Sequence, residues 1–80
     1  MIISIEISMY ALKDDYKTPI QAFIDRLAKH SHLDITYSAM STSIVGEFED
    51  IMPILNNEIH ASLLKLPESV FIIKLSGGCH

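Results

Sequence analysis

The chain has little of what most functional signatures are built from. Its 80 residues include one cysteine, three glycines, three prolines, no tryptophan and only six lysines and arginines. A single thiol, Cys79, rules out an intrachain disulfide and makes a reducing, cytoplasmic setting the expected one. Basic residues form no cluster and the net charge is −4, which argues against a nucleic-acid partner, whose affinity comes largely from phosphate neutralisation. Gly77-Gly78 follows a strand pattern but opens no helix, so neither a Walker loop nor a dinucleotide fingerprint fits. Apolar runs are a few residues long, too short to cross a membrane, and the first residues show neither a basic flank nor a small-residue cleavage site.

Catalytic and metal signatures are equally sparse. The four histidines, His30, His32, His60 and His80, show no HxxxH spacing, and no CxxC accompanies them. Cys79-His80 could form a nucleophile–base pair, but adjacent residues at a chain end are poorly held, and an inert thiol is the expectation. Glu47, Glu49 and Asp50 gather where a helix N-terminus collects acids for electrostatic reasons. Nothing points to an enzyme.

What the chain does have is pattern. From Ile3 to Tyr10 it alternates: Ile3, Ile5, Ile7 and Met9 on one face, Ser4, Glu6, Ser8 and Tyr10 on the other. A two-residue period marks a strand between two different environments. Thr18-Pro19-Ile20-Gln21 is a helix start, with Thr18 as cap, Pro19 in the first turn and Gln21 closing a capping box. Ile20, Phe23, Ile24, Leu27 and Ala28 then form an apolar stripe. Leu33–Ala39 alternates as a second strand, Met40–Ser43 reads as a polar corner, and Ile44-Val45 continues a third strand ending at Gly46. A second helix opens near Phe48, with Ile51, Met52, Leu55, Ile59, Leu63 and Leu66 as its buried stripe. Pro53 is tolerable there only in the first turn. Ser69–Ser76 closes the pattern as a strand.

The order β-α-β-β-α-β predicts one domain over 1–80. The expected fold is a ferredoxin-like α+β sandwich, a four-stranded antiparallel sheet with two helices on one face. The first strand is then central, its Ile/Met side under the helices. Its polar side joins Asp34, Thr36, Ser38, Lys74 and Ser76 on the open face. With 49% hydrophobic residues in so short a chain, some apolar surface is expected to be covered by another copy or another domain.

Three stretches together resemble the YkoF-like thiamine/hydroxymethylpyrimidine-binding family. They are Ile7-Ser8-Met9-Tyr10 with Asp14-Asp15-Tyr16, then Met40-Ser41-Thr42-Ser43-Ile44-Val45-Gly46, and last Leu75-Ser76-Gly77-Gly78-Cys79. Ala11 stands where the family pattern has proline. The resemblance implies non-enzymatic binding of thiamine or its pyrimidine moiety, in vitamin uptake or salvage alongside a transporter. It carries over to Ser8, Tyr10, Ser41, Thr42 and Cys79. Tyr10, Tyr37 or Met40 would contact the ring, and Glu6, outside the shared pattern, could offset a thiazolium charge. Because the family carries two tandem copies, this single copy is expected to pair with itself as a homodimer or higher oligomer. The alternative is an interaction module that oligomerises through the open sheet face without a ligand.

Overall fold

The computed structural model describes residues 1–12, 17–30, 32–38 and 41–77. Its elements run β1 (Ile2–Tyr10), α1 (Lys17–Ala28), β2 (Asp34–Tyr37), β3 (Thr42–Glu47), α2 (Phe48–Lys65) and β4 (Val70–Ser76). The strands form one antiparallel sheet in the order β2-β3-β1-β4, the ferredoxin-like arrangement that the pattern predicts.

The alternation of β1 is realised in its burial. Ile3, Ile5 and Ile7 are almost fully buried and join Ile44, Phe23, Leu27, Leu33, Ile51 and Leu55 in one core. The rings of Phe23 and Phe71 tilt against each other at 5.2 Å, tying α1 to the edge strand. Arg26 clips the helices together: its Nε donates to Glu58 Oε2 at 2.8 Å, and its Nη2 donates to the Ser62 hydroxyl and, at 3.4 Å, to the Glu58 carbonyl. Gly46 lies under α2, where an added Cβ would meet Ile51 Cδ1 at 3.3 Å, a tight contact to which the Ile51 side chain would have to yield.

Four local expectations change. The stretch read as a corner is partly strand: β3 starts at Thr42, because pairing of Ile44 with Ile5 carries the ladder back to Thr42 opposite Ile7. Pro53 is the sixth residue of α2, beyond the first turn. It lies on the exposed side of the helix, where its ring stands outside the core and its missing N–H costs one helix bond, while Ile51 and Leu55 hold the helix on the sheet. α1 begins at Lys17, so Thr18 is its second residue rather than its cap, and Gln21 Nε2 donates forward to Asp25 Oδ1 at 2.9 Å. The second strand spans Asp34–Tyr37, shorter than the Leu33–Ala39 alternation, and Ala39 lies outside the described residues.

The packing makes two stability predictions. Leu27→Ala, at a fully buried position, should cost about 2–5 kcal/mol in urea unfolding. Ser69 buries a hydroxyl with no hydrogen-bond partner among the described residues, so Ser69→Ala should leave stability unchanged or raise it by up to about 1 kcal/mol in the same measurement.

Candidate functional site

β1 outruns its neighbour on one side. Its ladder with β3 ends at Ile7↔Thr42, whereas its ladder with β4 continues through Ser8, Met9 and Tyr10. On the β3 side, Ser38 and Ser41 at the β2–β3 connection stand beside this overhang, and α1 passes over it. The space left is a cavity of about 90 Å³ lined by Ile7, Ser8, Met9, Ile20, Phe23, Ile24, Ser38, Ser41 and Thr42. Its two walls differ in chemistry. The strand and turn side mixes the apolar Ile7 and Met9 with the hydroxyl residues Ser8, Ser38, Ser41 and Thr42; the helix side carries only Ile20, Phe23 and Ile24.

A wider, shallow depression of about 320 Å³ lies on the open sheet face, lined by Glu6, Ser8, Tyr10, Ser41, Ile72 and Lys74. Ser8 and Ser41 line both spaces, so the two meet there. Lys74 Nζ stands 3.7 Å from Glu6 Oε1, a loose and exposed ion pair. The Glu6 carboxylate therefore already faces a cation of the chain. A pair of this kind is worth between zero and about 1 kcal/mol, and a charged ligand could displace it cheaply.

The turn is held by the two serines. Ser38 N–H donates to the Ser41 carbonyl at 2.9 Å, and the Ser38 hydroxyl donates to the same carbonyl at 2.9 Å. Ser41 N–H donates back to Ser38 Oγ at 3.2 Å, and the two hydroxyl oxygens are 3.3 Å apart.

Of the residues singled out in the sequence, Ser8, Ser41 and Thr42 come together at the cavity, and Glu6 and Tyr10 join Ser8 and Ser41 at the depression. Thr42 pairs with Ile7 and so shares the helix side of the sheet; Ser43, opposite Glu6, takes the open side. Tyr37 pairs with Thr42 but lines neither space, being half-exposed on the outer strand. Met40 and Cys79 lie outside the described residues. Phe23, Ile20 and Ile24 were legible as the buried stripe of α1, with no sign that they would wall a cavity. Ser38 was read as part of the open face, and its bond to Ser41 follows only from the turn. Among the described residues no three His, Cys, Asp or Glu side chains gather to hold a metal. No helix among them is long and apolar enough to cross a membrane.

Comparison with family models and with curated protein sequences finds no match. Among solved structures the chain is similar to a Streptococcus pneumoniae protein, with TM-score 0.89 at 21% identity, over 99% of this chain and 89% of that one. It is also similar to a Thermotoga maritima protein carrying the provisional name thiamine biosynthesis/salvage protein. That match has TM-score 0.84 at 15% identity and covers 95% of this chain and 83% of the other. A domain of unknown function from Bacillus cereus matches with TM-score 0.75 at 18% identity, over 95% of this chain and 75% of its own. At these identities the likeness establishes the fold.

Proposed function

We propose that the chain is a non-enzymatic binder of thiamine or its hydroxymethylpyrimidine moiety, acting in vitamin uptake or salvage in the cytoplasm, alongside a transporter. The observation that carries this reading is the two-walled cavity. It brings Ser8, Ser41 and Thr42, three residues on which the sequence resemblance rests, into one space facing Phe23. A flat heteroaromatic ring with polar substituents suits such a space: its face packs on the apolar helix wall and its edge meets hydroxyls. The provisional name of the Thermotoga neighbour points the same way. In thiamine, the ring substituent beyond the pyrimidine would extend from Ser8 and Ser41 into the open depression, past Tyr10 toward Glu6.

A second reading, an interaction module that self-associates through the sheet, is favoured by β4. This edge strand leaves Val70, Ile72, Ile73 and Leu75 each between 43% and 50% exposed. Val70 and Ile72, opposite Tyr10 and Ser8, share the open face. An edge strand of this kind is a template for another chain. The two readings are compatible in a homodimer or higher oligomer that also binds ligand.

Calorimetric titration with thiamine and with hydroxymethylpyrimidine tests the first reading, and absence of both heat and thermal stabilisation at millimolar ligand would sink it. Ser41→Ala and Thr42→Val should each weaken binding by about 2- to 15-fold, the range of one net hydrogen bond. Lys74→Met, which frees Glu6, should tighten thiamine by a factor of about 2 to 5 and leave neutral hydroxymethylpyrimidine unchanged. For self-association, light scattering should give a multiple of the chain mass for the wild type and a monomer for Val70→Lys/Ile72→Lys. A monomeric wild type at high micromolar concentration would remove the second reading.

A further inference from the structure

We infer that Ser38 sets the hydrogen-bond polarity of the cavity, so that Ser41 offers an acceptor and the site selects a pyrimidine bearing an exocyclic amine over one bearing a carbonyl. This rests on the binding reading above and adds which ring substituent is chosen.

The inference comes from accounting for one hydroxyl. Ser38 Oγ lies 2.9 Å from the Ser41 carbonyl oxygen, and because a carbonyl can only accept, the single Ser38 proton is committed there. The Ser41 N–H donates to the same Ser38 oxygen at 3.2 Å, occupying one lone pair. In the remaining contact, at 3.3 Å between the two hydroxyl oxygens, Ser38 has no proton left to give. Ser41 is therefore the donor, and Ser38 is filled: one proton given, two lone pairs taken. The Ser41 hydroxyl, its own proton turned toward Ser38, presents lone pairs to the space it lines.

An amino group on the ligand meets that acceptor with an N–H. A carbonyl in the same place sets oxygen against oxygen and leaves both without a partner, the costly outcome for groups drawn out of water. Ser38 thus acts through Ser41 as a positioning residue. The α1 wall, being apolar, is indifferent to the exchange, and the Ser8 and Thr42 hydroxyls, each able to donate or accept, suit either ligand, so the preference comes from the serine pair whose proton is committed.

The experiment is calorimetric titration of the full chain with thiamine and with oxythiamine, in which a carbonyl replaces the amine on the pyrimidine ring. The wild type should bind thiamine at least about tenfold more tightly. Ser38→Ala frees the Ser41 hydroxyl to rotate and donate, and should bring the two affinities to within about threefold. Ser38→Thr, which keeps the hydroxyl, should restore the preference, which a merely structural role for the turn does not predict once thermal unfolding shows all forms folded. Equal binding of the two ligands by the wild type overturns the inference, as does an undiminished preference in Ser38→Ala; both leave the binding reading standing. Binding of neither ligand overturns that reading and this inference with it.

Discussion

The structure depends on the double pairing of β1. A strand held on both edges cannot slip, because a one-residue shift would turn Ile3, Ile5 and Ile7 out of the core and Ser4, Glu6 and Ser8 into it. Each of those isoleucines is at most 2% exposed, so the misplaced register would forfeit several kcal/mol of burial. The same pairing builds the cavity. β3 stops matching β1 after Ile7, while β4 supports β1 out to Tyr10, so the overhang is rigid on one side and open on the other. The notch is thus framed by the core strand β1 and closed by the Ser38–Ser41 turn.

Much of this was legible from residue order alone, and the reason is physical. Side-chain period follows backbone geometry, so the alternation of β1 and the stripe Ile20, Phe23, Ile24, Leu27 announce their faces directly. What was not legible depends on register. Thr42 looks like a turn residue by composition, since Ser and Thr favour corners, yet its neighbour Ile44 pairs with Ile5 and draws it into the strand on the helix side. Pro53 breaks a local rule because tertiary packing of Ile51 and Leu55 outweighs one lost hydrogen bond. The roles of Phe23 as a cavity wall and of Ser38 as the clasp on Ser41 required knowing where β3 begins. No periodicity reports that.

The edge strand shows the limit of a small domain. β4 is apolar toward both faces, but the helices sit over β1 and β3, and only Phe71 reaches their aromatic contact with Phe23. Ile73 and Leu75 point to the helix side and still remain nearly half exposed. A chain of this length cannot cover its own sheet on both sides, since its two helices span roughly two strand widths. Lys74, the one charge on β4, is paired with Glu6 on the same sheet and gives the edge only slight protection from association.

The division of labour at the site follows from the relative size of these terms. Were the proposed pyrimidine bound, covering one of its faces against Ile20, Phe23 and Ile24 would remove on the order of 100 Å² of apolar surface, roughly 2.5 kcal/mol at about 25 cal/mol per Å². That is too little to offset the several kcal/mol of lost translational and rotational freedom on binding. Affinity must then come from hydrogen bonds, at about 0.5–1.5 kcal/mol each, and from their orientation before the ligand arrives. Serine rotors in water have no fixed orientation, so a hydroxyl clasped by a second one is worth more to a ligand than a free hydroxyl. On the proposed reading, the Ser38–Ser41 pair, though it stands at an exposed turn, would therefore weigh more in recognition than the Glu6–Lys74 charges, whose attraction water already screens.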